Sequence, residues 1–95
     1  MDLRDLINNP ATILVDVRTG SEFQSGNVAG SINIPLHEVP DRVEEFKAMK
    51  GTILVCCLSG NRSGQAASFL SMQGVENIYN VGGWMDVNYL KSHAA

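Results

Sequence analysis

The chain has 95 residues, of which 44% are hydrophobic and 18% charged, so its composition is that of one globular domain and argues against disorder. Ten acidic residues against seven basic ones give a net charge of −3, which argues against nucleic-acid or anionic-membrane partners. Two adjacent cysteines cannot close a long loop, which excludes a disulfide scaffold. No apolar run reaches the length of a membrane span, and the N-terminal residues are acids and amides where an export signal is apolar. We therefore expect a single domain over residues 1–95, located in the cytoplasm.

Predicted helices and strands alternate along the chain. Apolar runs typical of strands in a covered parallel sheet lie at 11–18, 31–35, 52–57 and 76–81. Helices are predicted at 3–9, 21–26, 41–51, 62–74 and 82–92. Ser21 is the expected N-cap of the second helix, and Gly51 and Gly74 are the expected stops of the third and fourth. This order predicts an α/β domain with a mainly parallel sheet.

The residues that follow the third strand carry the clearest chemical signal, because open α/β sheets bind ligands beyond the carboxyl ends of their strands. The sequence there is CLSGNRS, residues 57–63. Loop amides, a helix N-terminus and the Arg62 guanidinium all favour a thiolate, and Gly60 permits the positive φ that a loop around an anion needs. Ser63 is placed either to cap the helix or to donate to the anion. The pattern predicts a cradle for a reactive sulfur or an oxyanion.

Strand geometry distinguishes the two cysteines at this position. Successive side chains of a strand point to opposite faces, so Cys56 is expected to be packed beneath helices. Cys57 is expected at the strand end, where solvent or substrate can arrive. Because a buried free cysteine is usually an inert core residue, we assign the chemistry to Cys57.

Three ordered motifs resemble the signatures of the rhodanese family. CLSGNRS is similar to the family's active-site loop of cysteine, two residues, glycine, one residue, arginine, and serine or threonine. DVRTGSEFQSGNVAGSINIP, residues 16–35, is similar to its first signature, and VGGW, residues 81–84, to its closing glycine pair and tryptophan. The resemblance implies a rhodanese-like three-layer α/β/α domain. We expect four or five strands, since the family usually opens on a strand and this chain opens on a helix pattern.

The resemblance also implies a function, that of a thiosulfate sulfurtransferase-like enzyme. It would move a sulfane sulfur from a donor such as thiosulfate to a thiophilic acceptor, either cyanide or a thiol, through a persulfide on Cys57. The substrate-binding loop and its flank would comprise Leu58, Ser59, Gly60, Asn61, Arg62 and Ser63. No metal or organic cofactor is implied, and His37 and His93 lack ligand spacing and are expected at the surface. A protein that donates or accepts sulfur is a further candidate partner.

Three alternative functions stay open at this point. The domain could be a persulfide carrier or sensing module that turns over thiosulfate poorly, or a redox switch that joins Cys56 and Cys57 in a vicinal disulfide. It could also be a cysteine-dependent phosphatase, because five residues separate Cys56 from Arg62, which is the phosphatase spacing. We rank the phosphatase low. With Cys56 as the nucleophile, Gly60 would be the fourth residue after it instead of the third, and no aspartate has a spacing that supports a role as general acid.

Residues around the loop give further expectations. Arg18 is expected to pair with Glu22 and cap the following turn, although it or Asp16 could instead orient the loop or the substrate. Trp84 is expected to pack over the core. Leu58 occupies a position that is often cationic or polar in the family. This argues for a protein persulfide or a small thiol persulfide as donor in place of thiosulfate.

Overall fold

The computed structural model describes residues 2–93, and within them helices and strands alternate as predicted. The strands are β1 (Ile13–Asp16), β2 (Ile32–Asn33), β3 (Ile53–Cys57) and β4 (Ile78–Gly83). The α-helices are α1 (Leu3–Asn8), α2 (Gly20–Gln24), α3 (Val43–Ala48), α4 (Asn61–Met72) and α5 (Trp84–Ser92). The strands form one parallel sheet in the order β2-β1-β3-β4. The expected α/β class is confirmed, and the sheet described has four strands.

Helices cover both faces of the sheet because the central strand β3 is apolar throughout. All five of its residues are buried, and alternate side chains enter two separate clusters. The first cluster holds Cys57 with Phe46 of α3 and Leu70 of α4. The second holds Cys56 with Ile7 of α1 and Val87 of α5. The two cysteines therefore lie on opposite faces of one strand.

The start of α2 differs from its prediction. Its N-cap is Thr19 and not Ser21. The Thr19 side chain accepts from the backbone N–H of Glu22, and the Glu22 carboxylate accepts from the backbone N–H of Thr19. This reciprocal capping box gives partners to two backbone N–H groups that have none within the helix. Ser21 cannot do this because it lies inside the helix.

The segment before α3 also differs from its prediction. A 3₁₀ helix occupies Leu36–Arg42 and contains Pro40, and α3 follows it only from Val43. Proline has no N–H for an α-helical ladder, which explains the tighter winding ahead of it. The α-helix ends at Ala48, before the predicted stop at Gly51.

The carboxyl ends of β1, β3 and β4 meet at one edge of the sheet. The β3–β4 register shifts after Val55, which faces Asn80, so that Cys56 faces Gly82 and Cys57 faces Gly83. The two glycines therefore complete β4, where the sequence predicted the turn and start of the last helix. This bulge brings glycine backbone beside the residues that follow Cys57.

The helices of residues 2–93 are all too short or too polar to cross a bilayer. Over the same residues, the side chains of His, Cys, Asp and Glu nowhere gather in threes suited to a metal ion. His37 and His93 are exposed, as predicted.

Candidate active site

The cysteine loop, which we define as residues 57–63, leaves β3 and enters α4 through a conformation that requires glycine. Gly60 has φ 97° and ψ −9° and is the N-cap of α4. Its carbonyl accepts the helical bond from Gly64 N at 3.0 Å. Non-glycine residues rarely adopt this φ, so the prediction for Gly60 is confirmed.

The loop lies directly on the glycine backbone of β4. A Cβ on Gly60 would be 3.2 Å from the Cα of Gly82, and a Cβ on Gly83 would be 2.8 Å from the carbonyl oxygen of Leu58. A side chain on Gly83 would therefore displace loop backbone. The cysteine loop therefore packs directly against the backbone of Gly82 and Gly83.

The sulfur of Cys57 lies among hydrogen-bond donors of this loop. Its Sγ is 3.0 Å from Gly60 N, 3.4 Å from Ser63 N and 3.3 Å from Ser63 Oγ. Burial by itself raises the pKa of the Cys57 thiol, but hydrogen bonds from the Ser63 hydroxyl and from the amides of Ser63, Ser59 and Gly60 outweigh it. The pKa therefore lies below its ordinary value, and the loop stabilises a thiolate.

The expectation that Cys57 is open to solvent is wrong. The residue is 1% exposed, although Leu58 beside it is 57% exposed. β3 continues to pair with β4 through Cys57, and α4 covers the same face with Ala66, so the sulfur lies under the loop and not beyond the strand.

Cys56 is packed beneath helices, as predicted. It is fully buried on the opposite face of the sheet. Burial, and after it the negative charge of Asp16, raises the pKa of Cys56 to about 12. Both cysteines are free thiols, so the vicinal disulfide of the redox-switch alternative is not formed in this structure.

Arg62 is bound by a carboxylate and forms no hydrogen bond to the sulfur. Its Nη1 and Nη2 donate to the two oxygens of Glu22 at 2.7 and 3.0 Å. These bonds from Arg62, and after them the hydrogen bond from the backbone of Thr19, lower the pKa of Glu22 to about 2. The direct stabilisation of Cys57 therefore comes from neutral donors, and the guanidinium acts on the sulfur only through space.

The expected pair between Arg18 and the Glu22 carboxylate is wrong. Arg18 Nη2 lies 2.7 Å from Asp16 Oδ2 in an ion pair whose side chains are 4% and 0% exposed. The guanidinium also donates to the carbonyls of Glu22 and Gly26 and lies 4.4 Å from the centre of the Trp84 ring. Arg18 therefore joins β1 to α2 and α5, and Trp84 packs against the core as predicted.

The predicted loop residues fall into two groups. Leu58, Ser59 and Asn61 are exposed at the rim, whereas Ser63 is buried beside the sulfur and does not cap α4. The sequence interpretation missed Asn80 of β4, whose side chain bonds to Ser63 and to the backbone of Gly60. The available signal was a polar residue two positions before Gly82, near the end of a strand that meets the same edge of the sheet.

Two clefts, of about 490 and 420 Å³, lie at the other end of the sheet, around Val75, Glu76 and Asn77. Neither is lined by a residue of the cysteine loop. These clefts are therefore separate from the cysteine loop.

Comparisons with known proteins agree with this geometry. The family model described as rhodanese-like domain matches residues 1–88. The thiosulfate sulfurtransferase PspE of Escherichia coli is 40% identical over 74 residues, which are 77% of this chain and 71% of that protein. A sulfurtransferase of Allochromatium vinosum is 32% identical, covering 82% of this chain and 72% of that protein.

Solved structures show the same relationship. A rhodanese with anions from E. coli is 39% identical, covers 79% of this chain and 89% of that one, and has a TM-score of 0.71. A possible tyrosine phosphatase from Rhodopseudomonas palustris has a TM-score of 0.73 at 19% identity over 84% of this chain and 67% of that one, which shows a shared fold alone. The motifs, the fold and these matches together establish that the chain belongs to the family of rhodanese-like domains.

Proposed function

We propose that the protein is a sulfurtransferase that moves a sulfane sulfur through a persulfide on Cys57. The observation that carries the proposal is the ring of donors around the Cys57 sulfur, at 3.0 to 3.4 Å, in a loop that otherwise lies on glycine backbone. The sulfurtransferase relatives from E. coli and A. vinosum support the same reaction class. Cys56, with its raised pKa and its place on the opposite face, has no part in it.

The reaction consists of two displacements at sulfur. The Cys57 thiolate attacks the outer sulfur of thiosulfate, a new S–S bond forms, the S–S bond of the donor breaks, and sulfite leaves with the electron pair. Cyanide then attacks the outer sulfur of the persulfide and leaves as thiocyanate, which returns the electron pair to Cys57. Atoms and electrons balance without a further reactant.

The loop has to serve both sulfur positions during this cycle. Cys57 is 1% exposed, whereas Leu58 and Ser59 beside it are exposed. In the persulfide the same amides would donate to the outer sulfur anion, where the charge then lies. Backbone donors suit this role, since they require no rearrangement of side chains.

A persulfide carrier that serves a protein or a small thiol persulfide is the second candidate. It is favoured by the charge balance of the loop, in which Arg62 is already paired with Glu22 and Leu58 is exposed. Such a rim offers little attraction to a free dianion such as thiosulfate. The proposal also includes a single domain over residues 1–95 and a cytoplasmic location.

The test is thiocyanate formation after the protein is incubated with thiosulfate and then with cyanide. We expect Cys57→Ser to be inactive and Cys56→Ser to keep most of the activity. Cys56→Ala is the matched variant, because a buried serine hydroxyl at that position could lack a partner. The opposite pattern would overturn the assignment. Phosphatase activity that depends on Cys56 would favour the phosphatase alternative, in which Cys56 is the nucleophile.

The carrier is distinguished from the turnover enzyme by two measurements on the same samples. A carrier gains one sulfur atom on Cys57 by mass spectrometry but releases thiocyanate slowly. A turnover enzyme does both at matched rates. A chain that gains no sulfur from thiosulfate or from a small persulfide contradicts both candidates.

A further inference from the structure

Asn80 of β4 makes three side-chain hydrogen bonds, two of them to the cysteine loop and one to Gly82 of its own strand. Its Oδ1 accepts from Ser63 Oγ at 2.6 Å and from Gly82 N at 3.0 Å. Its Nδ2 donates to the carbonyl of Gly60 at 3.0 Å. The residue stands at the β3–β4 register shift, so its position follows from the bulge.

The orientation of this amide is fixed by its partners. The N–H of Gly82 can only donate and the carbonyl of Gly60 can only accept, so Oδ1 faces the first and Nδ2 the second. Oδ1 therefore also faces Ser63, and the Ser63 hydroxyl must be the donor in the 2.6 Å contact.

A hydroxyl has one proton, which Ser63 cannot give fully to two acceptors. The contact with Asn80 is 2.6 Å, whereas the distance to the Cys57 sulfur is 3.3 Å. In the thiol state the oxygen of Ser63 can accept from the S–H of Cys57. In the anionic state Asn80 competes with the sulfur for the hydroxyl proton.

We propose that Asn80 is a positioning residue of this site, which competes with the Cys57 sulfur for the Ser63 hydroxyl proton, weakens that hydrogen bond to the sulfur and holds the carbonyl of Gly60 in place. The consequence for catalysis, which rests on the proposed sulfurtransferase function, is a sulfur anion held mainly by backbone amides. A less stabilised anion is a better nucleophile, since intrinsic nucleophilicity falls as the thiol becomes more acidic.

The charged groups around Cys57 take no part in the competition for the Ser63 hydroxyl proton. Arg62 of α4 is paired with Glu22 of α2, and the Asp16–Arg18 pair of β1 is buried. From α5, Asp86 has a carboxylate oxygen 3.8 Å from where a Cβ on Gly83 would lie. Over residues 2–93, none of these groups forms a hydrogen bond to Asn80, so its substitution leaves their pairing unchanged.

The experiment is the rate of Cys57 alkylation by iodoacetamide as a function of pH, which reports the midpoint of thiolate formation. It is carried out in the Cys56→Ala background. Asn80→Ala should lower the midpoint by about one pH unit, the equivalent of one strengthened hydrogen bond to a charged group. Asn80→Asp should raise it, because the carboxylate keeps the acceptor and adds negative charge.

A merely structural role predicts a different pattern, since both variants lose the bond to Gly60 and would shift the midpoint in the same direction. That result would overturn the proposal. The proposal also requires Ser63→Ala to raise the midpoint and to abolish the effect of Asn80→Ala in the double variant. An undiminished effect in that double variant would contradict it.

Asn77→Gly is the matched control, because it removes an exposed amide at the other end of β4 and its φ of 55° suits glycine. Its midpoint should equal that of the parent, and a shift like that of Asn80→Ala would contradict a specific role. Alkylation requires no sulfur donor. It therefore tests Asn80 even for a chain that forms no thiocyanate, and thiocyanate formation tests the proposed function whatever the alkylation shows.

Discussion

Gly60→Ala perturbs the backbone of the cysteine loop without changing its charge. The left-handed φ of 97° costs an alanine about 1–2 kcal/mol, and its Cβ would lie 3.2 Å from Gly82 Cα. The substitution also displaces the N–H that lies 3.0 Å from the Cys57 sulfur. A hydrogen bond to a charged group contributes about 1.5–3 kcal/mol, so its loss predicts a roughly tenfold to hundredfold slower reaction.

Gly30→Ala is the matched control for this prediction. Gly30 has a φ of 83° and nothing within 4 Å of an added Cβ, so it carries the conformational cost alone. Both variants should unfold at a lower temperature, by about 4–8 °C for each kcal/mol in a domain of this size. Only Gly60→Ala should lose thiocyanate formation. Equal activities in two folded variants would refute the idea that the Gly60 amide stabilises the reacting sulfur.

Three other predictions concern the charges and thiols of the site. Glu22→Gln frees the Arg62 guanidinium and should lower KM for thiosulfate roughly threefold to tenfold, which corresponds to the interaction energy of a solvent-screened charge pair. An unchanged KM would show that the guanidinium cannot reach the donor. Leu58→Arg should lower the same KM, with Leu58→Gln as the uncharged control, and unchanged kinetics would remove the basis for a persulfide donor. At pH 7 iodoacetamide should label Cys57 alone, because the pKa of Cys57 lies below its ordinary value and that of Cys56 is about 12; labelling of a Cys57→Ser variant would contradict this assignment.

Local sequence patterns predicted most of the fold. The apolar runs predicted the four observed strands, and β3, which is covered on both faces, is apolar and buried at every position. The predictions failed where two local signals competed. Pro40 converted part of a predicted α-helix into a 3₁₀ helix, and Thr19 displaced Ser21 as the cap of α2 because only Thr19 completes a capping box.

The candidate site was predictable as a set of residues but not as a set of contacts. Alternation along β3 selected Cys57 over Cys56, and the requirement for positive φ selected Gly60. The partners of Arg18 and Arg62 were not predictable, because Glu22 follows Arg18 closely in the sequence but binds Arg62, which lies 40 positions away. Their pairing depends on where α2 packs against α4.

The sequence by itself determined the order of the elements, the opposite faces on which the two cysteines lie and the glycine at the turn, since each depends on alternation, burial or φ over a few neighbouring residues. Only the tertiary structure decided that Cys57 lies under its loop, that Glu22 binds Arg62 and that Asn80 bonds to Ser63. These contacts join residues 17 and 40 positions apart along the chain, and a register shift between β3 and β4 sets one of them. Such distances are fixed by the packing of whole elements, which no short stretch of the sequence contains.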